Sequence, residues 1–216
     1  MLVSGVPLWV ADTNAWVVAP ERGGLAVVID APPDADGIAD LLSEHDLTPV
    51  ALLVTHGHID HVGAAGAVVE RYSISAYIHP EDEFLYRDPA AQMRALWGVS
   101  LPGDFAPPSR WDSLSGVERV TLAGIDLDVL HTPGHTPGHC CFHVADEGLL
   151  FSGDQLFKGS IGRTDLPGGD HETLMASMRD RVVPLPPETA VFPGHGPTTT
   201  LADELATNPF LQDLHP

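Results

Sequence analysis

An apolar run at residues 50–54, Val-Ala-Leu-Leu-Val, leads without a break into Thr55-His56-Gly57-His58-Ile59-Asp60-His61. The run has the length and character of a buried strand. Four ligand-type side chains therefore crowd into the six residues at its C-terminal end, where layered α/β folds gather their active sites. Imidazoles with a carboxylate suit zinc, iron or manganese. Gly57 leaves room for a tight bend that aims His56 and His58 at one metal while Asp60 and His61 face another. One histidine in a loop is ordinarily an unremarked polar residue; four ligand-type side chains this dense are not.

The same signal recurs further along. Asp154 stands in Phe151-Ser152-Gly153-Asp154 after the run 149–151, where a carboxylate is able to bridge two metals. His195 stands in Pro193-Gly194-His195-Gly196-Pro197 after the run 190–192, in a turn that glycine permits. His131, His135, His139 and His143 recur every fourth residue, which on a helix would make one stripe. Pro133, Gly134, Pro137 and Gly138 forbid that helix, since an interior proline costs about 3 kcal/mol or more. In a loop each histidine is judged alone. His135, between Gly134 and Thr136, is the ligand candidate; His139 supports the site or starts the next strand; His131 and His143 are structural. Seven ligands at four strand ends, three or four per metal, satisfy a two-metal hydrolytic site. His45, His79, His171 and His215 are assigned to surface or packing.

Strands are expected at 15–18, Leu25–Ile29, 50–54, 74–78, 117–122, 125–130, 141–145, 149–151 and 190–192. Helices are expected at Ala35–Glu44, 62–72, 81–97 with a break at Pro89, and 172–182 with Asp170 as its N-cap. This interleaving predicts a layered α/β (α+β) fold. Ala123-Gly124 between two apolar runs predicts a hairpin, hence mixed sheets. The segment 98–112 carries Pro102, Gly103, Pro107 and Pro108; it is irregular, and equally a pocket rim or a plain connection.

The 216 residues suffice for one core and are read as one domain, 1–216. Lys and Arg number 10 against 30 Asp and Glu, a formal net charge of −20. Such a surface repels phosphate backbones and anionic membranes, so neither a nucleic acid nor a membrane is expected as partner. No apolar run approaches the roughly 20 residues of a membrane span. No positive charge precedes Arg22, as a secretory leader would require. Cys140 and Cys141 are adjacent and frame no disulfide set, which points to a reducing cytoplasm.

In order and spacing, His56, His58, Asp60 and His61 followed by His135, Asp154 and His195 resemble the metallo-β-lactamase superfamily, over residues 12–211. The resemblance implies a four-layer αββα sandwich of two mixed sheets with the metals at one edge. It puts His56, His58 and His135 on a first metal and Asp60, His61 and His195 on a second, with Asp154 bridging. The cofactors implied are two divalent ions, zinc before iron or manganese. The stretches Gly153-Asp154-Gln155-Leu156-Phe157, Gly159-Ser160-Ile161-Gly162-Arg163-Thr164-Asp165-Leu166-Pro167-Gly168-Gly169-Asp170 and Pro193-Gly194-His195-Gly196-Pro197 are similar to the hydroxyacylglutathione hydrolases (glyoxalase II) of the compact bacterial subtype. Longer members add a C-terminal helical domain that helps hold glutathione; none is expected here. A basic residue after the bridging aspartate binds the thiol's carboxylate in those relatives. Arg163 falls at that place as the substrate-binding residue, while their following tyrosine corresponds to Asp165.

The activity implied is hydrolysis of a small-molecule thioester such as S-lactoylglutathione by a metal-bridging hydroxide. Asp60, which orients the hydroxide, and Asp154 are the catalytic carboxylates. A thiolate whose acid has a pKa near 8.5 departs without a strong general acid. Lactonases and phosphodiesterases share these ligands and stand as alternatives. So do persulfide dioxygenases, which use one iron on two histidines and an aspartate, although their last motif carries Ala before the histidine and Asp-Tyr after it. True β-lactamases usually lack the bridging aspartate or carry a cysteine ligand, which argues against that activity. A non-catalytic scaffold would have lost ligands. Cys140 and Cys141, at the start of an apolar run, read as packing.

Overall fold

The computed structural model describes residues 1–99, 105–212 and 214. A first sheet takes strands in chain order: β1 (Leu2–Leu8), β2 (Thr13–Ala19), β3 (Leu25–Ile29), β4 (Thr48–Leu53), β5 (Ser75–Ile78) and β6 (Asp112–Ser113). β1, β2 and β3 pair antiparallel, and β3 to β6 run parallel. The second sheet comprises β7 (Arg119–Leu122), β8 (Ile125–His131), β9 (Cys140–Val144), β10 (Leu149–Gly153), β13 (Ala190–Pro193) and β14 (Thr199–Thr200). Its order is β14-β13-β10-β9-β8-β7, with only β10 and β13 parallel. A short hairpin, β11 (Leu156–Phe157) with β12 (Ser160–Ile161), follows β10. The helices are α1 (Ala35–Glu44), α2 (Ile59–Val62), α3 (Ala65–Tyr72), α4 (Glu83–Tyr86), α5 (Pro89–Trp97), α6 (His171–Ser177) and α7 (Leu201–Thr207).

Neighbouring residues of a strand face opposite ways, and three apolar clusters follow that alternation. Val18, Val27 and Leu53 of the first sheet meet Leu127, Phe142 and Phe151 of the second in a central layer. Their neighbours Val17, Val28 and Leu52 turn outward onto Ile38, Leu41 and Leu42 of α1 and Val68 of α3. On the far side Cys141, Leu150 and Val191 pack against Leu174 of α6 and Met178. Strands apolar on both faces read in sequence as continuous runs, and the layers stack as α/β/β/α.

The expected hairpin is present: Ala123 and Gly124, at φ 53° and 75°, form a two-residue turn joining β7 to β8. The expected helix at 62–72 is two pieces, α2 and α3, parted at Gly63–Ala64. The one at 81–97 divides just before Pro89, with Asp88 accepting from Ala91 N–H as the cap of α5. Asp170 caps α6 by accepting from Thr173 N–H, and the helix widens into a π turn at Met178–Val182. β1 escapes a pattern reading because Gly5 and Pro7 interrupt it. Yet β1 is an edge, where proline is tolerated, and a Cβ on Gly5 would stand 2.2 Å from the Trp16 indole. Of the segment 98–112, Phe105 packs on Ile59 and Met93, while residues 100–104 lie outside the described residues, as does His215. No helix among the described residues is long and apolar enough to cross a membrane.

One buried carboxylate ties the loops beneath the site. Asp82, fully buried, accepts from Gly57 N–H (2.8 Å), Thr136 Oγ1–H (2.7 Å) and Gly138 N–H (2.6 Å). Asp82→Ala strands three buried donors, and a loss of about 3 kcal/mol is expected in urea unfolding. The two cysteines are also fully buried, and burial pushes Cys140 well up and Cys141 up to about 12. Both stay protonated at pH 8, so an aromatic disulfide reagent should release no thiol signal from native protein and two equivalents after denaturation.

Candidate metal centre

β4 delivers its chain end into the slot between the sheets, and every candidate ligand arrives there from a strand end or the loop after it. His56 and His58 lie on an extended arm; α2 then turns Asp60 and His61 to the other side. His135 comes from the β8–β9 loop, Asp154 from the end of β10 and His195 from the end of β13. All seven ligand candidates converge.

They form two groups. His56 Nε2, His58 Nδ1 and His135 Nε2 make a triangle with edges of 3.1, 2.9 and 3.2 Å. Nitrogens about 2.0–2.1 Å from one tetrahedral metal lie about 3.3 Å apart, so this triangle has the size of a coordination face. His195 Nε2 and His61 Nε2 lie 3.2 and 3.4 Å from Asp60 Oδ2. Asp154 spans both groups: Oδ2 is 3.4 Å from His135 Nε2 and 3.6 Å from His195 Nε2, while Oδ1 is 3.4 Å from His61 Nε2. Asp154 Oδ1 and His61 Nε2 are buried with no hydrogen-bond partner. Buried polar atoms are ordinarily satisfied, and a carboxylate oxygen and an imidazole nitrogen left facing each other are the donor set of a cation. The residues present fit a pair of divalent metals.

The surroundings set the protonation of these side chains. Burial and neighbouring imidazoles lower His56 well below the ordinary range. Burial, then His135, takes His58 down to about 3, and burial takes His135 to about 4. All three are neutral near pH 7. Burial raises Asp60, but His61 and His195 outweigh it and hold the carboxyl well below the usual range. Burial lowers His61, yet Asp60, Asp154 and Asp30 raise it far above.

A set of second residues fixes which nitrogen faces inward. His61 Nδ1–H donates to Asp30 Oδ2 at 2.8 Å. Asp30 also accepts from Thr55 N–H (2.7 Å) and Thr55 Oγ1–H (2.9 Å), and Thr55 Oγ1 accepts in turn from His56 Nδ1–H at 3.0 Å. His135 Nδ1–H donates to the Arg163 carbonyl at 2.7 Å. His139 supports rather than ligates: its Nε2 accepts from Asp154 N–H, and its Nδ1–H donates to Thr132 Oγ1. Asn14 holds the His195 turn through the carbonyls of Pro193 and Gly196. Gly194 has to be glycine, since a Cβ there would lie 2.3 Å from Asp154 Oδ1. Sequence reading missed Asp30, Asp82, Thr13 (whose Oγ1–H donates to Asp60 Oδ2 at 2.9 Å) and Asn14.

Over the centre opens a cavity of about 270 Å³, lined among others by His58, Asp60, Gln92, Arg163, Leu166 and His195. Arg163 stands at its wall, but Nε and Nη2 are held by Asp165 at 2.6 and 2.7 Å. No described residue of 98–112 lines it. His79, Glu81 and His131 form a further group within ligating reach of one another. There the rings stack face to face at 4.2 Å and His131 Nε2–H donates to the Pro137 carbonyl, which is packing of the kind expected for both.

The family model of the metallo-beta-lactamase superfamily matches residues 8–195. The hydroxyacylglutathione hydrolase GloC of Haemophilus influenzae is 39% identical, over 86% of this chain and 87% of its own. The structure of the BLEG-1 B3 metallo-beta-lactamase is 39% identical with a TM-score of 0.88, covering 97% of this chain and 99% of that one. That of TTHA1623 in a di-iron-bound form is 44% identical with a TM-score of 0.84, covering 96% and 100%. With its α/β/β/α layers and a buried His/Asp site consistent with a dinuclear centre, the chain belongs to the metallo-beta-lactamase superfamily, as a metallohydrolase.

Proposed function

We propose that the chain hydrolyses thioesters of a small thiol at a dinuclear centre held by His56, His58, Asp60, His61, His135, Asp154 and His195. The observation that carries this reading is Asp154, whose two oxygens reach both nitrogen groups at 3.4–3.6 Å. Two divalent cations bound there supply water activated near neutral pH and a Lewis acid for the carbonyl oxygen. The likeness to GloC supports the thioester, and the di-iron form of TTHA1623 puts iron beside zinc as the metal to test.

The chain's own residues do the rest. Asp60 is held ionised by His61 and His195 and fixed by Thr13, so it orients the attacking water by accepting its hydrogen bond rather than by keeping its proton. A thiolate leaves unaided, because its acid has a pKa near 8.5. That suits a cavity whose lining, among the described residues, offers no proton donor apart from the ligand set, Gln92 and Arg163.

A second reading follows from the likeness to BLEG-1, namely β-lactam hydrolysis. A β-lactam expels an amine, which has to collect a proton as it leaves, and the same lining disfavours it.

Protein reconstituted with zinc or iron should carry two metals per chain and turn over S-lactoylglutathione at about 1–1000 per second, abolished by a chelator. Two bound metals with nitrocefin turned over and thioester untouched would reverse the order of the readings. One iron with oxygen uptake would replace both with a persulfide oxidation. Asp154→Asn should lower metal stoichiometry and kcat together, by at least about a hundredfold in kcat; full activity with both metals retained would remove Asp154 from the bridge.

A further inference from the structure

The metal cavity does not end at His58. It shares His58, Gln92 and Leu166 with a second hollow of about 230 Å³, bounded by Phe84 and Leu85 of α4, Ala91 and Ala95 of α5, and Leu166 and Pro167 of the loop before α6. Asp88 is the one charged residue lining it among the described residues, and that carboxylate is engaged with Ala91 N–H and Arg94. Phe84 is 55% exposed at its edge. A Cβ built on Gly168 would lie 3.0 Å from the tip of the Phe84 ring, so the phenyl spans from α4 towards the 166–168 loop. A large apolar side chain kept in water at the mouth of a polar cavity is the kind of surface that marks a binding groove.

The charges around the cavity point the same way. Arg163 is the sole lysine or arginine lining either hollow among the described residues, and its guanidinium is already paired in two-point fashion with Asp165. That pair pulls the Asp165 carboxyl down to about 2, so Asp165 is ionised and able to pair with Arg163 at any working pH. A carboxylate-bearing substrate group would have to displace Asp165 and approach a chain of net charge −20. An uncharged hydrocarbon group meets neither obstacle.

We infer that the α4–α5 hollow is an acyl-chain subsite, and that the preferred substrates are thioesters of apolar acyl groups several carbons long rather than of short hydroxyacyl groups. The inference rests on the thioester reading for its chemistry. The hollow adjoins His58, so an acyl carbon held over the metal centre projects its chain directly between Phe84 and Leu166. The thiol part is left on the open side, towards His195 and Arg163.

The test is a series of acetyl, butyryl, hexanoyl and octanoyl thioesters of the neutral thiol N-acetylcysteamine, with metal-loaded protein. kcat/KM is expected to rise about fourfold per methylene until the hollow is full. Ala95→Trp, which fills the hollow from an exposed position, and Phe84→Asp, which charges its rim, should each lower the hexanoyl-to-acetyl ratio at least about tenfold at unchanged metal content. A flat or falling series, or a ratio untouched by both variants, overturns the subsite and leaves the thioesterase standing. If no thioester is hydrolysed, calorimetry with the S-hexyl and S-ethyl thioethers of the same thiol decides instead. Tighter binding of the hexyl compound, lost in Ala95→Trp, keeps the subsite while the thioesterase reading falls; equal binding overturns both.

Discussion

Three imidazole nitrogens within 2.9–3.2 Å of one another, all buried, are the arrangement on which the rest of this fold depends. Their lone pairs point into common space, and nothing in the protein satisfies all of them. Asp154 Oδ1 and His61 Nε2 lie in the same position a few ångströms away. Left to itself, the His61 side of the cluster gathers a proton: Asp60, Asp154 and Asp30 together raise His61 against the burial that lowers it. A cation does the work of that proton with more charge and a defined geometry. The centre is therefore a place where metal and proton compete, and the fold has been arranged around the metal's side of that competition.

Holding it open takes a second layer of hydrogen bonds more than it takes packing. Asp30 sits at φ 61°, a left-handed conformation that aspartate tolerates, and from there one carboxylate reaches both Thr55 and His61. Through Thr55 Oγ1 the same carboxylate orients His56, one ligand from each metal group being fixed by a single anion. His139 does for the Asp154 backbone what Asp30 does for the imidazoles. Asp82 closes the floor by joining the loop of His58 to the loop of His135. These anchors come from both sheets, so the distance between the two metal groups is set by the sandwich itself.

How far this was legible in sequence follows from the same physics. The ligands announced themselves because chemistry-bearing residues follow apolar runs at 50–54, 149–151 and 190–192; the strands were apolar on both faces and could not be mistaken for anything polar. The rejection of a helical histidine stripe at 131–143 holds, since the prolines there mark a loop between β8 and β9. Asp30 directly follows the run Leu25–Ile29, the same signal that marks Asp154, but no histidine stands beside it in sequence to single it out. Asp82 had no such signal: it lies in a run of acidic and aromatic residues, and only the tertiary fold turns it inward. β1 was hidden because an edge strand is free to carry the glycine and proline that disqualify an interior one.

Arg163 shows where likeness of sequence and likeness of chemistry part. Its position beside the centre is the one expected, and its carbonyl even orients His135. Its guanidinium, however, answers to the residue two places on. Two residues on stands Asp165, whose carboxylate holds it in a two-point pair. With the guanidinium paired to Asp165, the apolar lining nearby is Leu166 on one side and Phe84 on the other. On the function proposed, the metal ligands fix the bond that is cut, and the surroundings of one arginine bear on which molecule is held there to be cut.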